Sequence, residues 1–328
     1  MTAVPVPDGP DIGAPWHYGD PGREQRMLES DHGAVDLGHH GVLTITGPDR
    51  LDWLHNLTSQ HLVSLAPGVG TTAYLLAPQG HLEHVLYGVD DGETFWAHTE
   101  PGRVADLVGW LDRMRFMSRV EVADRTADIA IVWAPGELSW SGASEVPVRR
   151  GRDALGGAEW FVGRADLDAA LGAERAGEWA YEALRIAAGM PRLGLDTDER
   201  TIPNEIATPD GDLLGAGVHL AKGCYRGQET VGRVHTLGRP PRRLTLLHLD
   251  GSEDTLPPVG ADLTLDGRVV GRIGSSARHH ELGPIALGLV RRATPTDADL
   301  LVAGIAAGQQ VLVDPEVGLH VRPQLGRR

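Results

Sequence analysis

Leu220–Arg233 reads LAKGCYRGQETVGR. It holds the only lysine in 328 residues, Lys222, and two positions later the only cysteine, Cys224. The other 29 of the 30 basic residues are arginine. Lysine offers a compact, titratable amine where arginine offers a rigid, always-charged fork. A lone lysine beside a lone thiol therefore suggests a site that arginine cannot fill. The plainer alternative is a leftover lysine near a small core thiol.

The rest of the composition sets limits. A chain of 328 residues exceeds one ordinary core, and about two domains are expected. The formal net charge is −15. Nucleic acid and anionic lipid both need a basic face, so neither is expected as a direct partner, although a local basic pocket remains open. One cysteine cannot form an internal disulfide. The first residues, MTAVPVPDGPDIGAPWHYGDPG, have no charged start, no apolar core and no arginine before Arg23. We read residues 1–25 as a loose or surface-wrapped arm. With no run near the ~20 apolar residues of a membrane span, a cytoplasmic protein is expected.

Working outward along the chain, Ala34–Thr46 reads as extended. Leu51, Leu54, Leu57, Leu62 and Leu65 fall at helical spacing and predict a helix that Pro67-Gly68 stops. Strands are expected at Thr71–Ala77, Leu82–Val89 and Glu93–His98, with Asp91-Gly92 as a hairpin turn. A helix from Pro101 follows, then strands at Val120–Ala123, Asp128–Trp133 and Trp160–Val162. Residues 134–157 are rich in Gly, Pro and Ser and read as the weakest-ordered interior stretch. Helical pattern returns from Arg164 to Ala188, interrupted near Gly172–Gly177, with Gly189 as its stop. Residues 189–214 read as almost all loop, long enough to be functional. A short helix follows Cys224 and closes at Gly238-Arg239-Pro240-Pro241. Beyond it the period becomes two, at Leu244–Leu249, Asp262–Leu265, Val269–Ile273, Ile285–Val290 and Gln310–Val313, indicating a small β-barrel or sandwich.

Dinucleotide, P-loop and CxxC motifs are absent. Among fifteen histidines, His39-His40 and His279-His280 are adjacent pairs expected to point apart in strands, and His81 and His84 to alternate faces, so no metal site is expected. Cys224, close to Lys222, Arg226 and a helix start, is a candidate nucleophile, redox thiol or single ligand to a shared metal. No His-Asp pair accompanies it. Glu205, on a proline-stiffened loop, could accept paired bonds from an amidine-like edge such as a pterin's, or be a solvated loop acid. Arg226, Arg233 and Arg239 make a basic cluster that could receive a folate's carboxylate tail or balance acids such as Glu229.

LRIAAGMPRLGLDTDERTIPNEIATPD followed by KGCYRGQETVGRV resembles the YgfZ group of folate-binding proteins, relatives of the glycine-cleavage T-protein (aminomethyltransferase). GPDRLDWLHNLTSQHL is similar to that family's early helix, and GRVVGRIGSSARHHELGPIALGLVRR to its C-terminal barrel. The resemblance implies an α+β fold: a folate-binding aminomethyltransferase-like unit of two interleaved subdomains (26–240), then a small β-barrel (241–328), around a central opening. It implies tetrahydrofolate as ligand and iron–sulfur client proteins as partners, with a role in assembly or repair of iron–sulfur enzymes, including those that modify tRNA. Glu205 matches the pterin-contacting acid and Lys222–Glu229 the signature loop. Cys224 and Lys222 would carry the chemistry, and Glu205, Arg226, Gln228, Glu229, Arg233 and Arg239 the folate.

Two departures weigh against aminomethyl transfer. T-proteins carry paired aspartates after the glycine of the first hairpin, whereas Gly80 here precedes His81-Leu82-Glu83-His84. Their L-R-x-E string is Leu184-Arg185-Ile186-Ala187 here. The expected function is an accessory protein; the alternative is a tetrahydrofolate-dependent one-carbon transferase with Glu83 in place of the aspartate.

Overall fold

Strands alternate with tight turns from Gly70 to Thr99, and this meander is the frame on which the rest is built. The structure, a computed structural model, describes residues 2–151, 154–252 and 255–319. Residue 1 of the arm, 152–153 within the stretch read as weakly ordered, and 253–254 and 320–328 of the stretch read as barrel lie outside the described residues.

In chain order, a hairpin of β1 (Val4–Pro5) and β2 (Pro15–His17) leads to α1 (Pro21–Glu29), β3 (Ala34–Asp36), β4 (Gly41–Thr46) and α2 (Arg50–Leu57). The meander is β5 (Gly70–Leu76), β6 (Leu82–Asp90) and β7 (Thr94–Thr99). Then come α3 (Val104–Arg113), β8 (Glu121–Asp124), β9 (Ile129–Ala134), β10 (Val148–Arg149) and β11 (Ala158–Gly163). After these follow α4 (Leu167–Leu171), β12 (Arg175–Ala176) and α5 (Glu178–Ala187).

The strands form two sheets, β5-β6-β7-β4-β8 and β10-β11-β9-β3-β12. The chain passes between them repeatedly, since β3 and β9 belong to one and β4 and β8 to the other. The first sheet packs Leu43, Ile45, Leu75, Leu86 and Phe95 against α2 and α3. Helix α2 is shorter than its leucine spacing predicts. It ends at Leu57 because Thr58 turns extended and its hydroxyl bonds back to the Leu54 carbonyl at 2.8 Å. Leu62 and Leu65 reach the same core from an irregular segment.

Arg149, in the stretch read as weakly ordered, is buried and pins the two sheets together. It donates to the Thr71 carbonyl (3.0 Å), the Thr72 hydroxyl (2.7 Å) and the Glu159 carboxylate (2.7 Å). His98 reaches the same carboxylate at 3.0 Å.

The N-terminal residues are folded onto α5 rather than loose. Trp16 stacks on Trp179 with centroids 4.8 Å apart, and Asp11 pairs with Arg192 at 2.8 Å. Asp20 caps α1 by accepting from Arg23 N–H at 2.9 Å, and the helix runs through residue 25.

From α5, a long loop carries α6 (Pro203–Ile206) and a small sheet of β13 (Pro209–Asp210), β14 (Leu213–Leu214) and β15 (Val218–His219). Helix α7 (Gln228–Leu237) precedes the barrel strands β16 (Arg242–Leu249), β17 (Asp262–Leu265), β18 (Arg268–His279), β19 (Gly283–Arg291), β20 (Leu300–Val302) and β21 (Ile305–Val311). They close in the order β16-β19-β18-β17-β20-β21, which removes every free edge. Strand β20 was not anticipated. One face of the barrel joins Ile186 of α5, Ile206 of α6, Leu214 of β14 and Val231 of α7 in a shared core. Among the described residues no helix is long and apolar enough to cross a membrane.

Burial pushes the Glu159 carboxyl up, but Arg149 and His98 outweigh it and hold it at about 2, below its ordinary 4.5. A carboxylate depressed in the folded state stabilises above its ordinary value and loses that contribution as pH falls through the folded one. Glu159→Gln is therefore expected to lower stability at neutral pH and to flatten the decline between pH 4.5 and about 2. Denaturant unfolding across that range measures this, and an unchanged slope would exclude the pair as its source.

Candidate functional site

The signature loop is seated on the turn between β5 and β6. Gly227 has φ +83°, and a Cβ there would meet the Ala77 carbonyl at 2.6 Å and the Gly80 Cα at 2.8 Å, so only glycine fits. Lys222 is buried, and its ammonium donates to the carbonyls of His55 and Thr58, the latter at 2.6 Å. These carbonyls belong to the last turn of α2, the negative end of its dipole. A compact ammonium fits between them where a planar guanidinium does not, which accounts for the single lysine. Burial lowers its pKa to about 8, which leaves it charged at neutral pH.

Cys224 is exposed. The ammonium of Lys222 is thus committed inward while the thiol faces outward, and the two are not a catalytic couple in this conformation. Gln228 donates from Nε2 to the Lys222 carbonyl at 3.4 Å and braces the loop.

Each of the three arginines balances an acid, the second of the two readings given above. Arg226 pairs with Glu83 at 3.0 Å, Arg233 with Glu229 one turn back on the exposed side of α7, and Arg239 with Glu316 at 3.8 Å. Glu205 is fully buried in α6 and is not a solvated loop acid. Arg242 donates to its two oxygens at 2.8 and 2.9 Å, and Ile202 N–H adds a bond at 3.1 Å. Offering this carboxylate to a pterin would require opening that pair. Arg242 also holds Asp198, at 2.5 Å.

The histidine pairs also depart from expectation. His39 and His40 lie in the turn before β4, not in a strand, with rings 4.9 Å apart. The His279 and His280 rings stack at 4.9 Å where β18 ends. His81 sits in the turn before β6, and it lines the same cleft as His84.

Two openings flank the β5–β6 hairpin. One, of about 390 Å³, lies between the β5–β6 hairpin, the end of α5, the loop carrying α6 and the small sheet, and the start of the barrel; Tyr74 and Tyr87, the segment 188–191, Ala207, Leu244 and Leu312 line it. The other, of about 1000 Å³, is lined by Glu83, His84, Trp110, Arg103, Arg226 and Arg272 among others. The two tyrosines escaped sequence reasoning because aromatic residues in strands read as core.

Superposition on solved structures decides the fold. Aminomethyltransferase T of the glycine cleavage system from Bartonella henselae matches with a TM-score of 0.75, covering 96% of this chain and 95% of that one at 17% identity. The chain has the aminomethyltransferase fold. In sequence it is similar to a chloroplast protein of Arabidopsis thaliana named as a transferase, at 25% identity over 82% of this chain and 68% of that protein. It also matches a probable aminomethyltransferase of Natronomonas pharaonis, at 27% identity over 81% of each chain. The aminomethyltransferase of Symbiobacterium thermophilum is 23% identical over 92% of this chain and 90% of that one. No family model matches.

Lys222→Ala is expected to destabilise the protein by about 1.5–3 kcal/mol, as for lost bonds from a charged group, and Lys222→Arg to restore little of it. Cys224→Ala, at an exposed position, is expected to leave the unfolding midpoint unchanged. Chemical denaturation of the three variants checks both statements.

Proposed function

We propose that the protein binds a reduced folate, tetrahydrofolate, in the central cavity and serves as an accessory factor in the assembly or repair of iron–sulfur enzymes. The observation that carries this reading is the chemistry of the cavity wall. Its volume of about 390 Å³ falls within the roughly 300–1,000 Å³ usual for small-molecule sites. Tyr74 provides an aromatic ring for a bicyclic ligand, Tyr87 is a fixed part of the wall with its ring stacked on His98 and overlain by Arg149, and Asp210, which is exposed, is the sole acid among the described lining residues. Such a wall suits binding better than proton transfer. Glu83, the acid nearest in sequence to the T-protein aspartates, is held by Arg226 in the other cleft. The exposed Cys224 thiol, on a loop resembling the YgfZ signature, supports the iron–sulfur role, since a partner protein can reach it.

The second reading, one-carbon transfer on tetrahydrofolate, is supported by the names of the relatives. It requires Glu83 to leave Arg226 or Asp210 to act as base.

Calorimetric titration with tetrahydrofolate tests the first step. Binding is expected in the wild type, and Ala188→Phe, which fills the cavity, should weaken it at least about tenfold. Equal binding by the filled variant would place the ligand elsewhere. Incubation with tetrahydrofolate and aminomethyl donors is expected to give no turnover; steady turnover would favour the transferase. Cells lacking the protein are expected to lose iron–sulfur enzyme activity under oxidative stress, with no rescue by Cys224→Ala. Normal activities in those cells would end the accessory reading.

A further inference from the structure

A second constellation lies away from the folate cavity, where the N-terminal hairpin covers the start of α5. Asp11 comes from the β1–β2 loop, His39 from the turn before β4, and Glu178 is the first residue of α5. The His39 Nε2 atom stands 3.1 Å from Asp11 Oδ1 and 3.5 Å from Glu178 Oε1. One ligand atom from each lies within 4.8 Å of the other two. Two ligands held tetrahedrally about 2.0–2.1 Å from a zinc-like ion stand about 3.3–3.4 Å apart, close to both His39 separations, of which the shorter is also a hydrogen-bonding distance.

The independent sign of a missing partner is Glu178. It is 3% exposed, and neither of its carboxylate oxygens accepts a hydrogen bond from the protein. A buried carboxylate without partners is costly and asks for a cation. Nearby charges point the same way. Asp11, Glu100, Glu182 and Asp196 share two guanidiniums, Arg185 and Arg192, and Glu178 pairs with neither.

Asp11 is oriented from outside the group. Arg192 holds Asp11 through two bonds of 2.8 Å and is itself fixed by Glu100 at 2.9 Å, so the carboxylate is oriented rather than free. A cavity of about 330 Å³ reaches Asp11 and Glu178 from outside, giving an ion a path in and room for water ligands. The other histidine–acid group, Glu29 with His279 and His280, lacks this character. His279 Nδ1 accepts from the backbone N–H of Glu281 and Leu282, both at 3.2 Å, so its Nε2 carries a proton and donates instead of ligating.

We propose that Asp11, His39 and Glu178 bind a divalent first-row transition metal ion. One imidazole and two carboxylates suit such ions better than magnesium or calcium. The ion ties the N-terminal hairpin to α5 and to the turn between the two sheets, which makes the site structural.

Full-length protein stripped with a chelator is titrated with zinc chloride by calorimetry, with magnesium chloride as the comparison. One zinc ion per chain is expected, with a raised thermal midpoint and no response to magnesium. His39→Gln and Glu178→Gln should each weaken zinc binding by at least about a hundredfold, and Cys224→Ala should leave it unchanged. Anomalous scattering from zinc-soaked crystals locates the ion without relying on the variants. No stoichiometric binding, zinc bound equally well by both variants, or an anomalous peak away from these three residues would each overturn the assignment.

Discussion

The structure depends on one buried guanidinium. Arg185, at the end of α5, is fully buried and donates to Glu182 (2.8 Å), the Met190 carbonyl (2.8 Å), Asp196 (3.0 Å) and the Ser275 hydroxyl of β18 (2.6 Å). Asp196 in turn accepts from the Ser275 backbone at 2.7 Å. Helix, loop and barrel thus share a single charge centre. Gly274 is required beside it, since a Cβ would stand 2.2 Å from the Asp196 carboxylate. Removing one member of such a buried network leaves a charge without compensation, which costs more than the intact pair contributes. The segment 189–214 adds Ile206 and Leu214 to the core shared with the barrel, and its remaining anchors are polar. Asp196, Asp198, Thr201 and Glu205 fix it by reaching arginines on neighbouring elements.

That mode of anchoring explains what could be seen in the sequence and what could not. The meander was legible because its strand period and the turns at Gly80 and Gly92 are local properties. The end of α2 was not, because Leu62 and Leu65 continue the helical spacing while the backbone leaves the helix at Thr58. Composition flagged Lys222 as unusual, but its partners, the carbonyls of His55 and Thr58, come from a distant segment and carry no side-chain signal. Glu205 drew notice for its stiff loop, and Arg242, which absorbs its charge, looked like any residue opening a barrel strand. Likewise Pro and Gly made the N-terminus read as loose, although Trp16 and Asp11 secure it against α5 and Arg192. Local pattern predicts elements; long-range pairing of charges decides which polar residues are structural.

A fold shared with aminomethyltransferases does not by itself carry their chemistry, because activity resides in particular side chains. The hairpin that bears the T-protein aspartates bears Glu83 here, neutralised by Arg226 from the signature loop. Arg226 also lies over Trp110, 5.9 Å from its ring centroid, so the pair is held from two directions.

The same loop connects the exposed thiol to the central cavity through the backbone. Gly227 rests on Ala77 and Gly80 of the β5–β6 turn, and β5 and β6 carry Tyr74 and Tyr87 into the cavity wall. On the other side, Lys222 fastens the loop to the end of α2. Cys224 therefore sits between two fixed points, one on each side, while its own side chain faces solvent. Turn and loop meet through packed backbone, with no room for a side chain at Gly80 or Gly227. The glycines of the signature loop serve that contact as much as the thiol they flank.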